Sequence, residues 1–310
     1  MRAFKVVEAR DTNHAVALLA EHGPSVKVLA GGTDLLVDFK HAPQAPEVVL
    51  DITRAADLKG ISMTPAGLRI GALATHTDIM RSPLIRESLP ALVDAAHTIG
   101  AVQTRNLGTL GGNLVTCVPS MDSGPALVAL EARVTVAGPG GRREMPITEF
   151  FVGPRKTILK PDELLVEIVI PSENVGKPTD FLKFGLRKGQ ALALVNVASS
   201  VWVDAKQHTF VEPRIALGAV APVVIRAPEA EAYLEGKPVT TDAMVEAGRI
   251  AAREARPISD FRASAEYRRD LIATLTRRTL QNAVARAGDA SARALDTSAR
   301  GPAARQGDAA

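Results

Sequence analysis

Apolar and polar residues alternate in a way that predicts short helices and strands in mixed order. Residues 12–22 have apolar positions at helical spacing with Gly23 as a stop, and the apolar run 26–29 predicts a strand directly after them. Similar patterns predict strands at 48–52, 68–72, 134–137 and 164–170, and helices at 35–40, 77–81, 90–99 and 126–130. In the strand 164–170, alternation puts Leu164, Val166, Ile168 and Ile170 on one face.

The pattern changes after residue 171. Residues 172–178 are polar with Gly and Pro, which favours a linker between two domains. Beyond them, antiparallel strands are predicted at 181–187, 191–203 and 213–221, followed by helices at 241–255 and 264–286. Residues 288–310 have almost no large apolar side chains, so we expect a disordered tail there.

Two glycine pairs stand out because each lies in a polar segment beside an apolar run. The first is Ala30-Gly31-Gly32-Thr33-Asp34, and the second is Thr109-Leu110-Gly111-Gly112-Asn113. Glycine allows positive φ and a close backbone approach, so adjacent N–H groups can converge on an anion. Thr33 and Asp34 are also candidate caps for the following helix. Neither segment has the G-x-G-x-x-G or Gly-Lys-Ser/Thr spacing of common nucleotide motifs, so the pairs predict two loops around one diphosphate.

Composition limits the classes of function that we expect for this chain. The chain has 310 residues, 46% hydrophobic and 23% charged, with a net charge of +3, as expected for a globular protein of two domains without nucleic-acid partners. No membrane span or signal peptide is predicted, which favours the cytoplasm. Cys117 is the sole cysteine, so an iron–sulfur cluster on this chain is not expected. The histidines lack metal-binding spacing, and no nucleophile motif is present, so neither a metal site nor a catalytic residue is predicted.

Four further side chains are candidates for ligand contacts. His76 is expected to hydrogen-bond the start of a helix, although it could instead face a ligand. Asp122 is suited either to ribose hydroxyls or to an N-cap. Alternation in 181–187 puts Lys183 and Arg187 on one face, which is either solvated or directed at phosphates or an electron-poor ring. A redox cofactor would account for the missing catalytic groups, because the protein then only orients and tunes it.

These segments resemble the flavin-binding (medium) subunit of the xanthine dehydrogenase and carbon monoxide dehydrogenase family of molybdenum hydroxylases. The resemblance covers residues 1 to about 286. It rests on the two glycine segments and on Ile70-Gly71-Ala72, Thr75-His76, Gln103-Thr104-Arg105-Asn106, Pro154-Arg155-Lys156-Thr157, Glu163-Leu164-Leu165, Val195-Asn196-Val197-Ala198, Phe261-Arg262-Ala263-Ser264 and Tyr267-Arg268.

The resemblance implies an α+β fold. Residues 1–175 would form an FAD-binding domain of the PCMH or vanillyl-alcohol-oxidase type, with subdomains at about 1–55 and 56–175. Residues 176–287 would form a C-terminal domain with an antiparallel sheet and helices, as in the CO dehydrogenase flavoprotein. The FAD contacts that it implies are Lys27, Val28, Leu29, Ala30, Gly31, Gly32, Thr33, Asp34, Thr109, Leu110, Gly111, Gly112, Asn113, Asp122, Leu165, Lys183 and Leu192. Leu192 would cover the isoalloxazine ring, with Ile99 as a weaker candidate for an apolar contact.

In this family, a large molybdopterin-binding subunit oxidises the substrate, and a small subunit with two [2Fe–2S] clusters passes electrons to FAD. The resemblance therefore implies an oxidoreductase subunit in a dimer of heterotrimers, with NAD, quinone or oxygen as the electron acceptor. Arg187 and Lys188 are candidates for attracting NAD phosphates. Two alternatives remain open at this point, a stand-alone FAD-dependent oxidase of the same fold and a non-catalytic assembly subunit.

Overall fold

A computed structural model of the chain describes residues 3–41 and 46–299, and for 289–299 it describes the backbone alone. Within these residues, helices alternate with three sheets of three or more strands. The predicted α+β class is therefore confirmed. Most predicted elements are present with ends that differ by one to three residues.

The N-terminal sheet is parallel, with the strand order β1-β3-β2. Its strands are β1 (Lys5–Glu8), β2 (Val26–Leu29) and β3 (Val48–Asp51). Helix α1 (Thr12–His22) begins where the Asp11 carboxylate accepts a hydrogen bond from the His14 N–H at 2.8 Å, and it ends at Gly23, whose φ is 63°. Helix α2 (Leu35–His41) follows β2. The first glycine segment thus connects an edge strand to a helix.

The second sheet is antiparallel, in the order β4-β5-β10-β6-β7. Its strands are β4 (Ile61–Thr64), β5 (Gly67–Gly71), β6 (Arg133–Gly138), β7 (Gly141–Pro146) and β10 (Leu164–Pro171). The prediction that β10 has one apolar face is wrong, because the register with β6 shifts between Leu165 and Glu167. Leu164 and Val166 belong to the core of the N-terminal sheet, whereas Ile168 and Ile170 belong to the core of the second sheet.

Short helices pack on one side of the second sheet and surround its core. They are α3 (His76–Arg81), α4 (Pro83–Ser88), α5 (Pro90–Thr98), α6 (Val102–Leu107), α7 (Leu110–Thr116), α8 (Ser123–Ala129) and α9 (Ile147–Phe150). A two-stranded hairpin, β8 (Phe151–Gly153) and β9 (Lys156–Thr157), follows α9. Helix α7 begins at Leu110, so most of the second glycine segment is the first turn of this helix, whereas the first segment precedes α2.

The C-terminal domain is an antiparallel sheet covered by helices, as predicted. Its strands are β11 (Thr179–Gly185), β12 (Ala193–Val203), β13 (Phe210–Gly218) and β14 (Ile225–Arg226), and its helices are α10 (Pro228–Leu234), α11 (Thr241–Glu254) and α12 (Ala265–Ala299). Arg187 lies beyond the end of β11, so it does not share a strand face with Lys183 as predicted. A register shift between Phe184 and Gly185 ends the regular alternation there.

Helix α12 continues past the predicted end at Arg286 to Ala299. Residues 289–299 are therefore helical instead of disordered, and the good helix propensity of Ala, Arg and Leu accounts for this. The remainder of the predicted tail, residues 300–310, lies outside the described residues.

The segment between the domains is packed against both of them. Residues 172–174 form a short 3₁₀ helix, and the Lys177 side chain is 0% exposed. The Nζ atom of Lys177 has no hydrogen-bond partner, and the nearest carboxylate oxygen, on Glu212, is 3.9 Å away. Burial lowers the pKa of Lys177 to about 8, and the nearby Arg214 contributes to the shift. The junction thus contains a poorly compensated cation.

We expect Lys177→Met to stabilise the protein at pH 7 by about 1–3 kcal/mol, because it replaces a buried amine without a hydrogen bond by an apolar side chain. The folded-state pKa of about 8 lies below the ordinary 10.5, so the penalty is complete below pH 8 and declines as the pH rises toward 10.5. Urea unfolding at pH 7 and pH 10 measures the difference. The exposed Lys206→Met is the control, and an equal effect of both substitutions would contradict the prediction.

Candidate functional site

The first glycine loop presents free backbone donors. Among the described residues, the N–H groups of Gly31, Gly32, Thr33 and Asp34 donate to no protein acceptor. Gly32 has a φ of 71°, which glycine adopts readily. The Thr33 and Asp34 side chains make no hydrogen bond to helix α2 either, so the predicted caps are absent. Four successive unpaired N–H groups favour binding of an anion.

The second glycine loop differs, because its N–H groups are already paired. Leu110 and Gly111 donate to the carbonyls of Ala74 and Ala72 at 2.8 and 2.9 Å, and Gly112 donates to Thr109 Oγ1 at 3.0 Å. A Cβ atom at Gly111 would lie 2.7 Å from the Cβ and the carbonyl oxygen of Ala72. The glycine at 111 is therefore required by the packing of α7 against the segment after β5. The second set of free N–H groups that the sequence predicted for anion binding is absent.

The two loops meet each other directly. A Cβ atom at Gly31 would lie 2.0 Å from the carbonyl oxygen of Leu107, so only glycine permits this approach. A Cβ atom at Gly108 would lie 3.3 Å from His76 Cδ2 and 3.5 Å from Thr33 Oγ1. The structure thus brings the first segment against Leu107 and Gly108, the two residues directly before the second segment.

A buried ion pair joins the N-terminal domain to the C-terminal sheet. Lys183 Nζ, on β11, lies 2.5 Å from Asp122 Oδ2 and donates to the carbonyl of Thr98 at 3.2 Å. Both side chains of the pair are less than a tenth exposed, at 6% for Lys183 and 7% for Asp122. Asn196 Nδ2 donates to Asp122 Oδ1 at 2.9 Å and to the Met121 carbonyl at 3.0 Å. The carboxylate is therefore held by two elements of the other domain.

Asp122 is at the N-cap position of α8, but its side chain makes no capping hydrogen bond. The alternative role as an N-cap is therefore not the one that the structure shows. Burial raises the pKa of Asp122, and the charge of Lys183 opposes this shift. Sequence reasoning assigned no role to Asn196, although an amide in the buried strand β12 between Val195 and Val197 was a visible signal.

The remaining predicted contacts occupy different environments. Leu165 is 2% exposed, in the core of the second sheet, whereas Leu192 is 53% exposed, just before β12. The segment before Leu192 is fixed to the end of α5, because the Gln190 N–H donates to the Gly100 carbonyl at 3.2 Å. Ile99, beside Gly100, is half-buried. Contact of Leu165, Leu192 and Ile99 with a cofactor stays a prediction.

The His76 side chain, at the junction of the loops, does not make the predicted hydrogen bond. The sequence favoured a hydrogen bond from this side chain to a helix start, but the Nδ1 atom is buried and has no partner. The contact to the second loop instead comes from the backbone, where the His76 N–H donates to the Gly108 carbonyl at 3.1 Å. Thr75 provides the cap of α3, together with Asp78.

These features fit the diphosphate of a dinucleotide. The first loop supplies free donors, its Thr33 and Asp34 side chains are unused, and the His76 ring approaches Gly108 next to Thr33. Within residues 3–41 and 46–299, no group of three or more His, Cys, Asp or Glu residues is arranged to hold a metal ion. No helix in the same part of the chain is long and apolar enough to span a membrane.

Comparison with known protein families finds two matches that together cover most of the chain. The family model of the FAD binding domain in molybdopterin dehydrogenase matches residues 2–173. That of the CO dehydrogenase flavoprotein C-terminal domain matches residues 180–283.

Individual relatives agree with these matches. The xanthine dehydrogenase FAD-binding subunit of Escherichia coli O157:H7 is 34% identical over 278 residues, which are 88% of this chain and 94% of the relative. The carbon monoxide dehydrogenase medium chain of Hydrogenophaga pseudoflava is 33% identical, over 91% of this chain and 98% of the relative. A solved structure of carbon monoxide dehydrogenase from Hydrogenophaga pseudoflava matches with a TM-score of 0.87 and 34% identity, over 92% of this chain and 98% of that one. The chain therefore belongs to the FAD-binding subunits of the molybdenum hydroxylases, the family that includes the xanthine and carbon monoxide dehydrogenases.

Proposed function

We propose that this chain is the electron-exit subunit of a cytoplasmic molybdenum hydroxylase, in which it receives electrons from an iron–sulfur partner subunit and delivers them to a diffusible acceptor. The observation that carries the proposal is the row of four unpaired N–H groups from Gly31 to Asp34, where the two loops meet. A built anion site without catalytic side chains is suited to a bound redox cofactor.

In this proposal, the loop Gly31–Asp34 holds the FAD diphosphate through backbone donors. The Thr33 hydroxyl lies beside the same donors and is free to add a hydrogen bond. The second loop mainly positions the first loop. Gly111 packs on Ala72, and this packing holds the backbone that the first loop contacts. When bound, FAD supplies the capacity to exchange electrons singly with a cluster and in pairs with an acceptor.

The ion pair between Asp122 and Lys183 has a different role in this proposal. It joins the two domains at the end of α5, and the Gln190 N–H donates to the carbonyl of Gly100, two residues after that end. The half-exposed Leu192 is the side chain that we assign to the flavin ring. An aliphatic side chain there would exclude water from one ring face without aromatic stacking.

We infer the partner subunits from the cysteine content of this chain and from its relatives. Its only cysteine, Cys117, is buried, so the clusters that feed the flavin must belong to another subunit. The relatives are named as a subunit and a medium chain, which supports a large molybdopterin-binding subunit and a small iron–sulfur subunit. We further propose a dimer of heterotrimers and an acceptor among NAD, quinone and oxygen. Arg187 and Lys188 are the basic residues that we assign to NAD phosphates.

The test is to purify a tagged form of the chain from its native cells, together with the subunits that co-purify with it. We expect a yellow complex in which the flavin is bleached by the hydroxylation substrate and recovers with one acceptor class. Isolated chain that turns over a small substrate by itself would favour a stand-alone oxidase. A complex that never reduces its flavin would favour an assembly subunit.

Gly31→Ala should weaken FAD binding by about tenfold or more, because its Cβ atom would fall 2.0 Å from the Leu107 carbonyl oxygen and force the loops apart. Fluorescence titration of the apoprotein with FAD measures the change. Gly140→Ala, in an open turn with nothing within 4 Å, is the matched control. Unchanged affinity in a folded Gly31→Ala variant would contradict the loop assignment.

Removing one member of the buried ion pair should cost more than removing both. Lys183→Met leaves the Asp122 carboxylate buried, at an expected cost of about 3–5 kcal/mol, and Asp122→Asn leaves the ammonium group unpaired. A double-mutant cycle in urea unfolding should give a coupling energy above about 1.5 kcal/mol. The more exposed pair Arg133 and Glu144 is the control, with expected coupling below about 1 kcal/mol. Equal coupling in the two cycles would contradict this account.

A further inference from the structure

His76 lies where the two glycine loops touch, and its surroundings distinguish it from an ordinary core histidine. The residue is 2% exposed, and its Cδ2 atom lies 3.3 Å from the position of a Cβ at Gly108. Thr33 Oγ1 lies 3.5 Å from the same position. One edge of the imidazole therefore faces the contact between the loops.

The two ring nitrogens are in different situations. Nδ1 is fully buried with no partner, so a proton there would be a buried donor without an acceptor. Nε2 also makes no hydrogen bond to the described residues, but it is not one of the fully buried atoms. The tautomer that carries its proton on Nε2 is consequently favoured. Because Nε2 is bonded to Cδ2, this N–H is on the ring edge that faces the loops.

The imidazole is also kept neutral. Burial lowers the pKa of His76 to about 4, and the positive charge of Arg105 acts in the same direction. A neutral ring with one N–H can donate to an anion without the penalty of a buried charge. The first loop already offers free N–H groups beside it, from Gly31 to Asp34.

We propose that His76 is a cofactor-binding residue, whose Nε2–H donates a hydrogen bond to the FAD diphosphate at the junction of the two loops. The inference rests on the diphosphate site proposed above. It adds an imidazole donor, from a third segment of the chain, to a site that otherwise consists of backbone donors and the Thr33 hydroxyl.

The position of the donor allows a sharp test with three substitutions. The Gln side-chain amide nitrogen can occupy the place of Nε2, whereas the Asn amide reaches only as far as Nδ1, and Leu has no donor. We expect His76→Leu and His76→Asn to raise the Kd for FAD about tenfold, and His76→Gln to keep it within about threefold of wild type. The measurement is FAD titration of the full-length apoprotein, followed by flavin fluorescence.

The thermal midpoint of each apoprotein, and His97→Leu on the exposed face of α5, are the controls. If His76→Leu does not fold, comparison of the Gln and Asn variants still tests whether FAD binding needs a donor at the Nε2 position. A ¹⁵N-histidine spectrum adds a readout independent of affinity, because the Nε2–H signal of His76 should shift when FAD is added to wild type. Wild-type affinity in all three variants, or equal loss in all three, would overturn the assignment. Wild-type protein that binds no FAD would instead refute the diphosphate site.

Discussion

The site depends on the approach of two backbone segments to within a distance that no side chain allows. Gly31 belongs to the loop after a parallel sheet, and Leu107 precedes a helix that packs on an antiparallel sheet. The two sheets also share apolar packing through β6 and β10, and the contact between Gly31 and Leu107 adds a backbone approach at the place where the cofactor is proposed to bind. The free N–H groups of the first loop lie beside a segment whose own N–H groups, from Leu110 to Asn113, are paired.

Buried lysines show how differently one residue type can be used in one fold. Lys183 has a carboxylate at 2.5 Å and a carbonyl at 3.2 Å, whereas Lys177 is as deeply buried and has no hydrogen bond at Nζ. The ion pair of Lys183 joins two domains next to the proposed cofactor site, whereas the burial of unpaired Lys177 lowers the stability of the junction. Burial of a charge therefore does not by itself identify a functional residue. The completeness of its hydrogen bonds separates the two cases.

Local patterns in the sequence were enough to predict most elements, because helical and strand periodicities and glycine stops act over a few residues. Several of the predictions that failed depended on distant contacts, although the helix over 289–299 reflects local propensity. The register shift next to Val166 is set by pairing with β6, and the pairing of the second loop is set by Ala72 and Ala74. The bonds between Asp122, Lys183 and Asn196 span more than 60 residues of sequence and appear only after the domains pack. Position and strand alternation made Asp122 and Lys183 candidates, and the resemblance added a role at the cofactor, but neither paired the two side chains.

The register shift in β10 has a mechanical consequence. Leu164 and Val166 enter the core of the N-terminal sheet, whereas Leu165, Ile168 and Ile170 enter the core of the second sheet, and the extra residue at the shift brings this change of face. One continuous strand is thus shared by two hydrophobic cores. Neither subdomain can melt without withdrawing side chains from the other, so the two should unfold as a single cooperative unit. Deletion of Val166 would restore regular pairing with β6 and leave Leu165, Ile168 and Ile170 in the second core, but it would remove one apolar side chain from the N-terminal core.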